Sequence, residues 1–243
     1  MAAGFSDSRH HDRVRHHTLA LLRQRVYQIV AGYKDANDGD RQRHDPMLQI
    51  VADQELGDAL GSQPTLSRWE NAPSARELTH FNDLLCQHFI RLCGDQVRRR
   101  GEILLDLDST DDPTYGLQQL SFFNGTYGQH MYHPVLIFER YSGCLLAARL
   151  RPGNASSHAR IVPTLVRLIP RLQSAFPGVT IRLRGDAGFA LPLLYKFCEF
   201  FAIQYAKRRA EPRQKRLKRR YRCTQLPQRS FSSFRHRARS WPR

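Results

Sequence analysis

The sequence contains no run of about 18 apolar residues, so it predicts no helix that crosses a bilayer. The first 17 residues also lack the apolar stretch of a secretory signal peptide. Its five cysteines form no Cys-x-x-Cys pair, a pattern typical of reduced thiols rather than of a disulfide framework or a zinc site. These absences favour a cytoplasmic protein that makes no contact with a membrane.

Positive charge is what the chain has in excess, with 38 Lys and Arg against 22 Asp and Glu and a formal net charge of +16. Residues 207–243 hold 15 of the basic residues and one acid, whereas residues 1–206 carry a net charge of only +2. A charge of this size favours a polyanionic partner, usually nucleic acid. Because the tail 207–243 has no Gly, Val, Ile or Met, we expect it to form no packed core. It is either a solvated basic arm that binds phosphates or an out-of-frame ending.

The first hundred residues predict helices and no strands. Five apolar residues at helical spacing predict a helix over 18–33, namely Leu19, Leu22, Val26, Ile29 and Val30. Residues 47–61 and 75–97 are expected to be helical as well.

Residues 61–74 (GSQPTLSRWENAPS) predict a short helix that begins after Ser62 and has Pro64 in its first turn. The stretch looks similar to the second half of a repressor-type helix-turn-helix, although it is one residue shorter between Gly61 and Ser62. In that motif, four side chains would face the bases or phosphates of DNA: Gln63, Thr65, Ser67 and Arg68. A helical hairpin with no role in DNA binding explains the same pattern equally well.

From residue 101 onward, the sequence changes to short apolar runs separated by turn residues. They predict strands over 102–108, 132–140, 143–151 and 179–186, with a fifth strand beginning at residue 204. Helices are expected over 156–172 and 191–203. The resulting order, β-β-β-α-β-α-β, predicts an α/β domain with a mixed sheet covered by helices.

Aspartates collect where two of the predicted strands end. Asp106 and Asp108 share one face of the first strand because side chains alternate with a period of two, and Asp186 ends the fourth strand. If these strands are neighbours, Asp108 and Asp186 meet at one edge, where a divalent cation would offset their repulsion. Two such ions can hold the attacking and leaving oxygens of a phosphodiester. In the alternative interpretation, residues 111–113 form a turn and Asp186 caps a helix.

Three segments, in this order and spacing, resemble bacterial insertion-sequence transposases of the DDE type: LDLDSTDDPTYG at 105–116, LRPGNASSHA at 150–159 and RGDAGF at 184–189. The resemblance includes GYKDANDGDRQRHDP and GSQPTLSRWEN and covers about residues 18–206. It implies a ribonuclease H-like fold and a DNA-binding region within residues 1–100. It also implies Mg²⁺- or Mn²⁺-dependent cleavage of double-stranded DNA at transposon ends, followed by strand transfer into a target. Matched to these motifs, Asp108 is the expected first catalytic acid and metal ligand, with Asp106 as the fallback, and Asp186 is the second.

The family uses a third acid, a Glu on a helix well after the fifth strand. After Asp186, this chain has only Glu199, which comes too early, and Glu211, which lies in the basic tail. We therefore expect a truncated or frameshifted transposase with a partial catalytic domain over 101–206, no strand transfer and poor solubility. Two alternatives stay open: a non-enzymatic DNA-binding protein that inhibits an intact transposase, and another metal-dependent nuclease of the same fold. Whether the chain is a homo-oligomer also stays open.

Overall fold

A computed structural model of the chain describes residues 7, 9, 14–33, 35–116 and 118–207. The chain divides into two compact units, residues 1–84 and 85–243. The basic tail, from residue 208 onward, lies outside the described residues. The domain limits expected from the sequence, with a boundary after residue 100, stay a prediction.

Helices dominate the first unit, as the sequence predicts. They are α1 (Thr18–Val30), α2 (Pro46–Val51), α3 (Gln63–Glu70) and the beginning of α4 (Ala75–Arg100), with a 3-10 turn over Ala36–Gly39. The helix expected over 47–61 is wrong beyond Val51. It ends there because Asp53 and Gly57 adopt left-handed backbone conformations, with φ of 61° and 99°.

Helix α1 buries a largely polar side. Its buried residues are Leu21, Gln24, Arg25 and Gln28. The apolar residues that suggested the helix are mostly exposed: Leu19, Val26, Ile29 and Val30. Two hydrogen bonds to Gly61 compensate for burying the polar side chain of Gln24. Its Nε2 donates to the Gly61 carbonyl at 2.9 Å, and its Oε1 accepts from the Gly61 N–H at 3.0 Å.

Two sheets form in the second unit. In chain order the strands are β1 (Glu102–Ser109), β2 (Asp112–Pro113), β3 (Phe122–Asn124), β4 (Gln129–Tyr132), β5 (Val135–Glu139), β6 (Leu145–Arg149), β7 (Thr180–Gly185) and β8 (Gln204–Lys207). The main sheet has the order β6-β5-β1-β7-β8, with β6, β5 and β1 antiparallel and β1, β7 and β8 parallel. The predicted α/β class with a mixed sheet is confirmed, and this is the strand order that a ribonuclease H-like fold implies.

The second, smaller sheet was not predicted. It has the order β2-β4-β3 and lies in the chain between β1 and β5. The strand expected over 132–140 is therefore divided, since β4 ends at Tyr132 and β5 begins at Val135. β3 and β4 pair as antiparallel strands on either side of a tight turn over residues 125–128.

One face of the main sheet carries the core of the second unit. Alternate residues of β1 are buried there, namely Ile103, Leu105 and Leu107. They pack with side chains from α4, from α5 (Ile161–Ala175) and from α6 (Pro192–Phe200). Helix α5 begins later than expected, at Ile161, because Arg160 takes a left-handed conformation with φ of 62° and Pro163 suits only the first turn. The opposite face of β1 carries Asp106 and Asp108.

Two general expectations from the sequence concern membranes and cysteines. No helix in the described part of the chain is both long enough and apolar enough to span a membrane. The cysteines in that part are free thiols: Cys86, Cys93, Cys144 and Cys198.

Candidate functional site

Asp108 and Asp186 occupy matching positions on neighbouring strands. β1 and β7 are parallel partners, and their register ends with Leu107 opposite Gly185, so the next residues along the two strands are Asp108 and Asp186. Neighbouring strands lie about 4.8 Å apart. The condition stated from the sequence, that the first and fourth long strands are neighbours, is therefore met.

Asp108 lies on the face of the sheet that does not carry the core, and Asp186 lies in the turn that follows β7. Burial alternates along β1, with Leu107 inside and Asp108 exposed. Asp186 is also exposed, and it lies one residue beyond the last register pair of the two strands, Leu107 with Gly185. The two acids are accessible to a solvent-borne ligand.

Hydrogen bonds to the backbone hold one oxygen of each carboxylate. The Asp108 Oδ1 accepts from the N–H of Ser109 at 2.8 Å, and the Asp186 Oδ1 accepts from the N–H of Gly188 at 2.8 Å. Asp186 thus caps the 3-10 turn Ala187–Phe189, as one interpretation of the sequence proposed. The other oxygen of each carboxylate makes no hydrogen bond within the described part of the chain, so the capping role leaves a ligand atom free.

Asp106 has a different partner. Its carboxylate forms a bidentate ion pair with Arg184, in which the arginine Nε donates to Oδ1 at 2.6 Å and Nη2 donates to Oδ2. The residues face each other across β1 and β7 because they are register partners. Both oxygens of Asp106 are engaged by Arg184, whereas Asp108 and Asp186 each keep one oxygen without a hydrogen bond in the described part of the chain.

The donor set fits one hard divalent cation. Mg²⁺ is commonly bound by one or two carboxylates together with water and substrate phosphates, and Asp108 with Asp186 supplies such a pair. Within the described residues, no group of three or more His, Cys, Asp or Glu side chains lies close enough to hold a metal ion. The described residues therefore offer a site that needs further oxygens from outside these side chains.

Helix α3 carries the four side chains predicted to contact DNA. Arg68 is exposed, whereas Gln63, Thr65 and Ser67 are half-buried. The Ser62 hydroxyl is within 3.0 Å of the Thr65 hydroxyl and does not cap the helix. Instead, the Asp40 carboxylate accepts from the Gln63 N–H at 3.0 Å. The 3-10 turn before Asp40 thus fixes the beginning of α3, and Arg68 is the side chain most open to a phosphate.

Three residues that support the site were missed in the sequence. Arg184 stands inside the RGDAGF motif, and its pairing with Asp106 follows from strand register once β1 and β7 are neighbours. Phe189 is buried and packs against Gly185, where an added Cβ would lie 3.1 Å from the phenylalanine Cβ. Asp40 caps a helix that begins 23 residues later, and no local sequence signal indicates such a contact.

Comparison with known proteins gives one family. The model of the family described as transposase DDE domain group 1 matches residues 1–243. None of the curated proteins compared with the chain matches it.

Several solved transposase structures are similar to the chain. The piggyBac transposase synaptic complex with hairpin DNA is 11% identical with a TM-score of 0.37, and the match covers 86% of this chain and 46% of that one. The Mos1 transposase paired-end complex with the left transposon end is 13% identical with a TM-score of 0.30, and the match covers 82% and 61%. The Drosophila P element transposase strand transfer complex is 12% identical with a TM-score of 0.30, and the match covers 74% and 40%. The chain thus matches less than two thirds of the length of each.

Proposed function

Because the chain belongs to the transposase DDE domain group 1 family, we propose that it binds transposon-end DNA and carries two acids of a metal-dependent DNA-cleavage site. The observation that supports this best is the register of β1 and β7, because Asp108 and Asp186 are the residues that follow its last pair, Leu107 with Gly185. Each presents an oxygen that no described residue occupies. The proposed cofactor is Mg²⁺ or Mn²⁺, and the proposed partners are double-stranded transposon ends and target DNA.

In this proposal, Asp108 and Asp186 hold the cation and thereby fix the position of the scissile phosphodiester. A bound divalent ion supplies charge stabilisation at the phosphoryl oxygens and a lowered pKa for a bound water or hydroxyl. Neither carboxylate forms a covalent bond to DNA. Arg184 neutralises Asp106 on the same face, so the negative charge next to the scissile phosphate comes from the two acids that bind the cation.

DNA binding is assigned to the first unit. We propose that the exposed Arg68 of α3 contacts a phosphate, with Gln63, Thr65 and Ser67 contributing to the same surface. The basic tail, if it is a genuine part of the protein, would add sequence-independent contacts with phosphates. Such contacts weaken steeply with salt, whereas contacts with bases do not.

We propose further that the chain does not carry out strand transfer. Glu199 lies in α6, immediately after β7, and no third acid joins the Asp108–Asp186 pair within the described residues. Glu211 lies outside the described residues. This observation also supports a second candidate function, a DNA-binding protein that inhibits an intact transposase.

Incubation of the purified full chain with labelled transposon-end duplexes and Mn²⁺ tests the proposal. We expect specific DNA binding, weak nicking that is lost in Asp186→Ala, and no strand transfer. Binding without any nicking would support the inhibitor instead. Efficient strand transfer would overturn the proposed inactivity, and absence of specific binding would overturn the function itself.

A further inference from the structure

Arg151 occupies an unusual position in the segment 151–160, which the proposed function leaves without a role. Arg151 is only 3% exposed, although its side chain carries a positive charge. The guanidinium Nε donates to the His133 carbonyl at 2.6 Å. Its Nη1 reaches three carbonyl oxygens of its own segment, at 2.8–2.9 Å: those of Ser156, Ser157 and Ala159.

The partners of Arg151 are backbone carbonyls rather than an acid. No carboxylate pairs with it in the described part of the chain, its buried Nη2 has no hydrogen-bond partner there, and burial lowers its pKa. The planar guanidinium can point several N–H groups at different carbonyls at once, which the ammonium of lysine cannot do with the same geometry. Arg151 therefore fixes the path of the backbone over residues 156–159.

That stretch of backbone packs directly against the turn that holds Asp186. The His158 Nδ1 lies 3.2 Å from the Gly188 carbonyl oxygen. A Cβ added to Gly188 would lie 2.8 Å from the Ser157 Cβ and 3.0 Å from the Asp186 Oδ1, so only glycine fits between them. The N–H of this same glycine donates to Asp186. A continuous set of contacts thus leads from Arg151 through the segment to the catalytic-site carboxylate.

The beginning of the same segment contacts the small sheet that follows Asp108. A Cβ on Gly153 would collide with the carbonyl oxygens of Met131 and Phe122. The Asn124 Nδ2 donates to the Gly153 carbonyl at 2.7 Å. The segment therefore connects the regions that follow both acids in the sequence.

We propose that Arg151 is a positioning residue for Asp186, acting through residues 156–158 and Gly188 to hold the carboxylate ready for a divalent cation. The inference rests on the proposed function, because it assigns to Asp186 the role of metal ligand. Removing such supporting contacts typically lowers metal affinity 10- to 100-fold.

Hydrogen exchange of the full chain without metal gives the first test, with Arg151→Lys compared to the wild type. We expect faster exchange in two segments, 156–161 and 186–190, with strand β1 unchanged. Arg149→Lys, at an exposed position two residues earlier, serves as the matched control and should change neither segment. Faster exchange in 156–161 alone would overturn the proposal, since Arg151 would then shape only its own segment.

If Arg151→Lys loosens the whole second unit, the backbone amides of β1 also exchange faster. His158→Ala is then the variant that tests the proposal. It removes the contact with Gly188 and leaves Arg151 in place. Faster exchange limited to 186–190 would support the proposed connection, and unchanged exchange there would overturn it.

Mn²⁺ titration gives the readout that a purely structural role would not move. In a folded Arg151→Lys chain, we expect the Kd for Mn²⁺ to rise about 10-fold, while the affinity for transposon-end DNA stays the same. An unchanged Kd would contradict the positioning role. If the wild-type chain binds no Mn²⁺, the proposed metal site fails, whereas the exchange result still reports whether Arg151 controls the Asp186 turn.

Discussion

The two units of the chain are stabilised in different ways. In the second unit, β1, β5, β6 and β7 and helices α4 to α6 contribute to one continuous apolar core. In the described part of the first unit, the buried apolar cluster is small and consists of Leu48, Ala52 and Leu60, with Leu21 and Leu66 buried outside it. Four glutamines of the same unit are also buried: Gln24, Gln28, Gln42 and Gln49.

Buried amides hold the loops of the first unit. Gln24 bonds to both backbone groups of Gly61, and Gln49 donates to the Asp58 carbonyl and accepts from the Gly57 N–H. Each amide thus satisfies loop groups that no helix or strand satisfies. The first unit therefore depends more on a few directional hydrogen bonds, whereas the second depends more on the area of apolar surface that it buries.

The largest effect is expected in the core of the second unit. Leu105→Ala removes a fully buried side chain from the central strand and should lower the free energy of unfolding by about 2–5 kcal/mol. Leu104→Ala, on the other face of the same strand and only half-buried, is the control and should cost less. Urea unfolding followed by circular dichroism measures both. Equal losses would contradict the assignment of the core to one face.

A matched pair of glutamines tests the first unit. Gln24→Met leaves the buried N–H and carbonyl of Gly61 without partners and should destabilise this unit by about 1–3 kcal/mol. Gln28 is equally buried, but its amide makes no hydrogen bond with any residue that the structure describes, so Gln28→Met should be neutral or stabilising. Fluorescence of Trp69 in a Trp241→Phe background reports unfolding of this unit. A larger loss of stability in Gln28→Met than in Gln24→Met would contradict the role given to the Gln24 hydrogen bonds.

Within the second unit, one glycine lies in the turn that follows Asp186 and another lies in an ordinary hairpin. Substituting each of them compares the two turns. Gly188→Ala forces Ser157 or Asp186 to move and should weaken Mn²⁺ binding about 10-fold. Gly125→Ala meets no atom within 4 Å and should leave binding unchanged. Isothermal titration with Mn²⁺ distinguishes them. Equal affinities would show that the turn tolerates a side chain and does not fix Asp186.

The smallest effect is a pH dependence that arises in the apolar core. Burial raises the pKa of the Cys198 thiol to about 12 from its usual 9.0, so between these values the unfolded chain loses a proton that the folded chain keeps. Stability should therefore fall as pH rises above 9, by at most about 1.4 kcal/mol per pH unit from this thiol.

Urea unfolding of Cys198→Ala at pH 8 and at pH 10 measures that contribution. Burial also raises the pKa of Tyr195 and of Tyr205, so some loss with rising pH should persist in the variant. The variant should lose less stability than the wild type over this interval. Identical losses would contradict a buried, protonated Cys198.

The sequence predicts the long strands well because their signals are local. β1 and β7 are apolar runs of strand length; Asp108 is the second-last residue of β1, and Asp186 is the first residue after β7. The short strands β2, β3 and β4 contain two to four residues each, too few for a periodic pattern, and they form through contacts with residues distant in sequence. For the same reason the ion pair of Asp106 with Arg184, 78 residues apart, was not predicted.

The burial of α1 was not predictable from its amphipathic pattern. The spacing of its apolar residues predicts the helix correctly but would bury the apolar side. The polar side is buried instead, because Gln24 bonds to Gly61 and Arg25 to Glu70, 37 and 45 residues away. Periodicity reports where apolar side chains repeat. It does not report a long-range polar contact that outweighs them.

Mn²⁺ binding to three aspartate variants of the full chain, followed by electron paramagnetic resonance, tests the pairing of Asp108 with Asp186 most directly. We predict about one bound ion in the wild type and a loss of affinity of about 10-fold or more in Asp108→Asn and in Asp186→Asn. Asp106→Asn should bind Mn²⁺ nearly as well as the wild type, because Arg184 occupies that carboxylate. Unchanged affinity in Asp108→Asn and Asp186→Asn, or the greatest loss in Asp106→Asn, would contradict the account.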